Sequence, residues 1–235
     1  MRDGLRMKRL TLGLIAWCCL GVASTWAITK AELDDRVRKL AAKFDELQQK
    51  SEKRIPAETL AKAHGIILLD RTKAGFIFAY QGGSGVALVR DPNSKEWSPA
   101  AFVAASEASL GFQVGGQQSF IVLLLMTTNA TAALTKSTFE FGGEARGTAG
   151  DQSEGVEGSV KSHEQPVLFF SDSKGLYGGV SVKGGAITPD GDANLAYYGQ
   201  YRSMKDILFD RKVKAGETAV ELAKKFNVPS NSTKK

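Results

Sequence analysis

The residue types that enzymes most often use for catalysis are scarce in this sequence of 235 residues. It contains two histidines, His64 and His163, and two cysteines, Cys18 and Cys19, which are adjacent. No His-Glu-x-x-His motif occurs, and no group of cysteines and histidines has the spacing of metal ligands. The sequence therefore predicts no catalytic residue, no metal site and no cofactor, and we expect a protein that is not an enzyme.

Two further segments approach functional motifs without completing them. Ser84 lies in Gly82-Gly-Ser-Gly-Val86, but a nucleophile elbow requires glycine where this segment ends in valine. Asp151, Glu154 and Glu157 could offer carboxylates to Ca²⁺, although they lack the ordered spacing of a calcium-binding loop. We interpret Ser84 as a turn residue and the acidic stretch as a solvated hairpin.

Basic residues beside predicted turns are better candidates for a binding site. They are Arg71, Lys73, Arg90, Lys174 and Lys183. If the sheet brings these positions together, they form a cationic rim that could hold a lipid phosphate. The alternative is ordinary surface charge. Because the chain has no basic cluster of the kind that binds DNA or RNA, we expect no nucleic-acid partner.

Trp97 is the aromatic candidate for the same site. It follows a polar loop and precedes Ser98-Pro99. An indole ring has an apolar body and a polar N–H group, which suits an anchor at a membrane interface. The alternative is a structural role, in which the ring holds the loop in place.

Glycine positions carry most of the information about the fold. Twenty of the 25 glycines lie between Gly75 and Gly199, mostly beside aromatic or β-branched residues. Glycines in such runs mark strands that bend, bulge or let another backbone come close. Two groups of glycines are predicted to form structural turns: Gly82, Gly83 and Gly85, and Gly175, Gly178 and Gly179.

Short apolar runs between turn signals predict an α+β domain. Its core is a mainly antiparallel, curved β sheet or a partly closed barrel of about 8 to 10 strands, with N-terminal and C-terminal helices packed around it. Strands are expected over residues 66–69, 75–80, 86–90, 102–106, 110–114, 120–126, 139–148, 156–161, 167–171 and 176–182, and helices over 30–52, 57–63, 127–136 and 216–226, with a helical turn from 203.

Several segments together resemble the SYLF domain. They are Gly82-Gly-Ser-Gly85 with Arg90, Trp97-Ser-Pro99, Ser173-Lys-Gly-Leu-Tyr-Gly-Gly179, and Asn194 with Tyr197-Tyr-Gly199. The resemblance covers roughly Ile55 to Phe209 in the family order. It implies lipid binding, which in eukaryotic members includes phosphoinositides, and in some members actin bundling beside SH3 domains. Many eukaryotic members have Gly-Pro and a basic residue where this chain has Gly150-Asp151.

Residues 1–27 read as a cleaved signal peptide. A basic start, an apolar run from Leu10 to Val22, and small residues at Thr25 and Ala27, the two positions that a signal peptidase reads, fit that pattern, with Ala23 as a second possible cleavage position. Removal of this segment takes away four basic residues and Asp3, which leaves 27 basic and 24 acidic residues. We expect export to a periplasm or secretion. Lipoprotein anchoring is disfavoured, because Trp17 precedes Cys18 where that chemistry needs a small residue.

Residues 28–54 are predicted to form an N-terminal amphipathic helix that begins at a Thr29–Glu32 capping box. Its mixed charges favour packing on the sheet or on a second copy, although in some relatives such a helix contacts membranes. A SYLF-like lipid-binding domain is expected over 55–228 and a disordered tail over 229–235. The expected function is recognition of anionic phospholipid or phosphoinositide-type head groups on a membrane surface. The alternative is a scaffold for protein partners in the cell envelope.

Overall fold

The computed structural model describes residues 28–51, 54–74, 80–106, 119–141, 166–172, 176–177 and 185–227. At the ends of several strands, including Arg71 and Lys73, it describes the backbone alone. The helices are α1 (Lys30–Gln49), α2 (Ala57–Lys62), α3 (Thr128–Ala132, continued by a 3-10 turn, Ala133–Thr135), α4 (Gly191–Tyr198), α5 (Met204–Leu208) and α6 (Glu217–Lys225). The strands are β1 (Gly65–Ala74), β2 (Tyr80–Val89), β3 (Ala101–Ser106), β4 (Ser119–Leu125), β5 (Phe139–Phe141), β6 (Val167–Ser171), β7 (Leu176–Tyr177) and β8 (Gly185–Pro189).

The eight described strands form one antiparallel sheet in the order β5-β8-β3-β2-β1-β4-β6-β7. This confirms the predicted α+β class and the curved antiparallel sheet. Of the two predicted forms, the open sheet is the one observed, because the described edge strands β5 and β7 do not pair with each other. The strands at the centre, β1 and β2, are also the longest, at 10 residues each.

Helices cover both faces of the sheet, because side chains alternate along each strand and both faces are apolar. One face, with Ile66, Leu68 and Phe102, packs against α1, α4 and α6. The other face, with Ile67 and Leu69, packs against α3 and α5. The result is a sheet between two helical layers, with a core on each side.

The N-terminal helix forms as the sequence predicts. The Thr29 side chain accepts from the Glu32 N–H group, and the Glu32 carboxylate accepts from the Thr29 N–H group at 2.7 Å. One stripe of apolar residues is fully buried in the core: Leu33, Val37, Leu40, Phe44 and Leu47. The helix therefore packs on the sheet. This confirms the prediction that its mixed charges favour packing within the protein.

The glycines of the first predicted turn lie inside a strand and not in a turn. Gly82, Gly83 and Gly85 are inside β2 and pair with β1 on one side and β3 on the other, so the turn assignment is wrong. The reason is steric. A Cβ atom on Gly85 would lie 1.9 Å from the Leu68 carbonyl oxygen. Gly85 therefore permits the close approach of β1 and β2.

The sequence analysis did not predict β8 or α4, because β8 has five residues that include Gly185 and Pro189, and α4 has eight residues that begin with Gly191. Other predicted features lie outside the described residues. These are the strands at 110–114 and 156–161, most of those at 75–80, 139–148 and 176–182, the turn glycines Gly175, Gly178 and Gly179, the signal peptide over 1–27 and the tail over 229–235.

Candidate functional site

The register of the sheet separates the predicted cationic rim into two groups. Gly65 pairs with Val89, so Arg90 lies just beyond what we call the Gly65 end of the sheet. Arg71 pairs with Gly83, six residues back along β2, which is roughly 20 Å of extended strand. Arg71 and Lys73 therefore lie toward the opposite end, which we call the Arg71 end. The structure does not bring Arg90 together with Arg71 and Lys73.

Arg90 is used inside the domain. Its guanidinium donates to the Ala61 carbonyl of α2 at 2.7 Å and to the Phe226 carbonyl after α6 at 3.4 Å. Both acceptors lie at helix C-termini, where unpaired carbonyl groups carry partial negative charge. The group is half-buried, and burial lowers the pKa of the guanidinium from its ordinary value. We conclude that Arg90 joins two helix ends to the sheet, and the geometry gives no support to its predicted role as a lipid contact.

Trp97 belongs to the same joint. The Arg90 guanidinium lies 4.5 Å from the centre of its ring, and Phe226 meets the ring edge-on at 5.3 Å. The indole N–H group donates to the Asn227 side-chain oxygen at 3.1 Å. The next residue, Ser98, is buried and accepts from the Val89 N–H group at 3.0 Å. Of the two roles considered for Trp97, the contacts favour the structural one.

Lys174 and Lys183 lie outside the described residues, but their neighbours in the sheet are described. Ser171 pairs with Ile121, which is level with Leu69. Gly185 pairs with Phe141, at the end of β8 that leads away from the Gly65 end. Ser171, which precedes Lys174, and Gly185, which follows Lys183, therefore lie toward the Arg71 end of the sheet.

The Arg71 end also holds an ion pair that the sequence did not indicate. Lys43 of α1 donates to the Asp70 carboxylate at 2.6 Å, and both side chains are mostly buried. Asp70 immediately precedes Arg71 in β1. The signal for this pair was weak, because Lys43 is one of several charged residues on α1 and Asp70 follows an apolar run without any motif.

The Asn194-x-x-Tyr-Tyr-Gly199 motif completes the edge of β3. The Asn194 amide accepts from the Phe102 N–H group at 2.8 Å and donates to the Phe102 carbonyl at 2.9 Å, as a neighbouring strand would. Tyr198 donates its hydroxyl hydrogen to the Ala100 carbonyl, and burial raises the pKa of that phenol. Gly199 ends α4 with a φ of 69°, a left-handed conformation suited to glycine. The motif therefore has a structural role.

A second polar cluster joins three helices. The Asp34 carboxylate of α1 accepts from Thr218 of α6 at 2.6 Å, from Tyr197 of α4 at 3.0 Å and from Lys30 at 3.0 Å. Burial by itself would raise the pKa of the Asp34 carboxyl. Hydrogen bonds from Thr218, Lys30 and Tyr197 outweigh burial, so the pKa lies below its ordinary value.

Within the part of the chain that the structure describes, no group of three or more His, Cys, Asp or Glu residues could hold a metal ion. Among the described helices, none combines the length and the apolar composition that a bilayer crossing requires.

Fold and contacts together define an α+β domain in which the described sequence motifs hold strands and helices together. Comparison with known proteins identifies the family to which this domain belongs. Residues 106–227 match the Ysc84 family, described as Las17-binding protein actin regulator. The chain belongs to this family, which confirms the SYLF resemblance.

Curated relatives are similar over a larger part of the chain. The human SH3 domain-containing YSC84-like protein 1 is 31% identical over 178 residues, which cover 74% of this chain and 52% of the relative. LAS seventeen-binding protein 3 of Saccharomyces cerevisiae is 33% identical over 161 residues, which cover 67% of this chain and 35% of the relative. This chain thus spans about half, or less, of the curated relatives that it matches.

Proposed function

We propose that this protein is an exported, non-catalytic lipid-binding protein whose Arg71 end contacts anionic phospholipid or phosphoinositide-type head groups. One observation supports this choice of surface. The sheet register carries Arg71 and Lys73, together with the described neighbours of Lys174 and Lys183, to one end of the domain. Cationic side chains on a single end can approach an anionic bilayer together, and each one near such a surface contributes about 1 kcal/mol.

The test is co-sedimentation of the chain from Ile28 onward with vesicles that contain or lack anionic lipid. We expect binding only to anionic vesicles, and weaker binding as salt is raised. The double variant Arg71→Gln/Lys73→Gln should lose most of this binding, and Lys174→Glu should lose part of it. The matched control is Lys62→Gln/Lys224→Gln, which removes two exposed lysines of α2 and α6 from the opposite end.

Thermal melts of all variants separate lost binding from lost folding. Equal and negligible sedimentation of the parent protein with both vesicle types would overturn the proposal. If the control pair loses as much binding as the Arg71 and Lys73 pair, the lipid contact does not lie at the Arg71 end.

Export is the second part of the proposal and is supported by the signal-like composition of residues 1–27. Expression of the full chain in a bacterial host should yield a periplasmic or secreted product that begins at Ile28 or Ser24. N-terminal sequencing of that product checks the cleavage position. A product that retains Met1 to Ala27 in the cytoplasm would contradict export.

A protein-interaction scaffold of the envelope is the alternative, and the comparisons give it a specific basis. The family is described as binding Las17 and regulating actin, so its name refers to protein partners. Affinity capture from envelope extract, followed by native mass measurement, tests this. One partner captured in constant ratio, with no binding to vesicles, would favour the scaffold over the lipid-binding function.

A further inference from the structure

Two aromatic side chains at the two ends of α5 are exposed. Tyr201 precedes the α5 cap residue Ser203 by two positions and is 78% exposed, more than any other large apolar side chain that the structure describes. Phe209 ends the helix and is 37% exposed. The helix has five residues, which is about 7.5 Å, so the two aromatic positions are close enough to share one surface. Aromatic residues are enriched where proteins contact each other.

The buried side of α5 fixes the direction of this surface. Ile207 and Leu208 are buried in the core that lies on the α3 side of the sheet. Lys205 and Phe209 are exposed, and residues four apart lie on the same side of a helix. Packing of the buried side therefore holds Lys205 and Phe209 toward solvent.

The turn that carries Tyr201 is braced in the protein itself. The Ser203 hydroxyl accepts from the Asp206 N–H group at 3.1 Å, and the Asp206 carboxylate accepts from the Ser203 N–H group at 3.2 Å. Arg202 donates to the Gln200 side-chain oxygen at 2.8 Å, a hydrogen bond that spans Tyr201. A partner that contacts a braced turn loses less free energy to ordering than one that contacts a loose loop.

The charged residues of α5 and of the turn after it carry both signs. Lys205 contacts Asp210 at 2.7 Å, and Lys212 contacts Asp206 at 2.7 Å and Asp210 at 3.2 Å. Both lysines are more than half exposed, and the four charges sum to zero. An anionic bilayer would meet repulsion from the carboxylates as well as attraction from the lysines. A second copy of the same surface instead presents carboxylates to lysines and lysines to carboxylates.

We propose that this α5 surface binds a second copy of the chain in a two-fold symmetric dimer. In such a dimer the same patch serves on both copies, which the balanced charges around α5 allow. A standard interface buries about 800 Å² on each partner, and a surface centred on one short helix is at the small end of that range. We therefore expect a reversible dimer with a Kd on the order of 10 μM. The surface is formed by Tyr201, Lys205, Asp206, Phe209, Asp210 and Lys212.

The dimer uses a different part of the domain from the lipid contact proposed at the Arg71 end. Tyr198, three residues before Tyr201, donates to the Ala100 carbonyl. β3 begins at the next residue, level with Ile67 and near the Gly65 end. The turn that carries Tyr201 therefore lies toward the Gly65 end, and dimerisation does not depend on the proposed function.

Sedimentation equilibrium of the chain from Ile28 onward, at about 1 to 200 μM, tests the proposal. We expect the average mass of the parent to rise with concentration from that of a monomer to that of a dimer. Tyr201→Ser/Phe209→Ser should weaken the dimer at least about thirtyfold, because each change acts in both copies. The matched control is Val220→Ser, which removes an apolar side chain of 41% exposure from α6, on the other face of the sheet, and should leave the Kd unchanged.

Thermal melts separate lost dimerisation from lost folding. At low concentration all three proteins should unfold alike, because the changed side chains are exposed. Tyr201→Ser alone, at the more exposed position, repeats the test if the double variant does not fold.

Two sedimentation results would overturn the proposal: a parent that stays monomeric over the whole range, or a dimer that Tyr201→Ser/Phe209→Ser leaves intact. A monomeric parent whose vesicle binding is lost in the double variant would show that α5 contacts lipid and not a second copy. A parent that dimerises as expected but does not bind anionic vesicles refutes the proposed function and leaves this inference standing.

Discussion

The two ends of the central sheet are built differently, and the comparison shows how neighbouring helix ends give a basic residue a structural role. At the Gly65 end, Arg90 and Trp97 tie the ends of α2 and α6 to the strands through hydrogen bonds, a cation–π contact and an aromatic edge contact. Toward the Arg71 end, β2 has Gly85, where a Cβ atom would collide with the Leu68 carbonyl oxygen of β1, and Lys43 of α1 forms an ion pair with Asp70. A basic residue beside a strand end therefore has a structural role where neighbouring helix carbonyls need a donor, as they do beside Arg90.

The largest expected effect concerns the glycines of β2. Gly85→Ala places a methyl group 1.9 Å from the Leu68 carbonyl oxygen, which backbone atoms can relieve only by moving the strands apart. We expect the free energy of unfolding to fall by about 3 kcal/mol or more. Urea denaturation measures it.

The matched control is Gly191→Ala, since a Cβ atom there meets nothing within 4 Å. That change at the first residue of α4 should alter stability by less than about 0.5 kcal/mol. If Gly85→Ala is as stable as Gly191→Ala, the strands at this end are not held in close approach by glycine.

Arg90→Met should have the next largest effect and act on stability alone. The change leaves the Ala61 and Phe226 carbonyls without their charged donor and uncovers one face of Trp97. We expect a loss of about 2 kcal/mol in the free energy of unfolding. Anionic vesicle binding should be unchanged in the folded protein.

The control is Lys62→Met, at an exposed position of α2, which should change neither the free energy of unfolding nor vesicle binding. A folded Arg90→Met protein with weakened vesicle binding would return Arg90 to the lipid site.

The lowered pKa of Asp34 predicts that the stability of the protein depends on pH. Because hydrogen bonds hold its folded pKa below the ordinary value, its contribution is fully present above the unfolded pKa of about 3.9 and is lost as pH falls through the folded pKa. Asp34→Asn should therefore lower stability by about 1 kcal/mol at neutral pH, with the difference from the parent shrinking in acid. Thermal melts from pH 7 to pH 2.5 check this.

The control is Asp35→Asn, a change at an exposed neighbour paired with Arg38, which should follow the parent's curve of stability against pH. A constant difference between Asp34→Asn and the parent at all pH values would mean that charge at Asp34 is irrelevant.

The smallest expected effect is on the fluorescence of Trp97 at the Gly65 end, which we expect lipid to leave unchanged. Trp97 is the single tryptophan between Ile28 and Lys235, so its fluorescence reports on that end alone. Addition of saturating anionic vesicles should leave its emission maximum in place, because the ring is packed against Arg90 and Phe226. A blue shift together with quenching by brominated lipid would place Trp97 in the bilayer and reverse the assignment of the two ends.

Local patterns were sufficient for several elements in which the deciding contacts lie close in sequence. The Thr29–Glu32 capping box, the buried stripe of α1 and the Ser203–Asp206 cap of α5 all join residues three or four positions apart, and all were predictable. The glycine pattern likewise indicated close approach of strands, although it did not distinguish a turn from a strand interior at Gly85. The family resemblance rested on the same local motifs.

The sequence by itself determined the α+β class, the family and the elements with strong local signals. Only the tertiary structure decided which candidates belong together, because Arg90 meets Phe226, Asn194 meets Phe102 and Lys43 meets Asp70 across long stretches of chain. Strand register placed Arg90 and Arg71 at opposite ends of the sheet, and register depends on pairing between distant segments. Residue type gave both arginines the same charge, but the neighbouring helix carbonyls gave Arg90 a structural role.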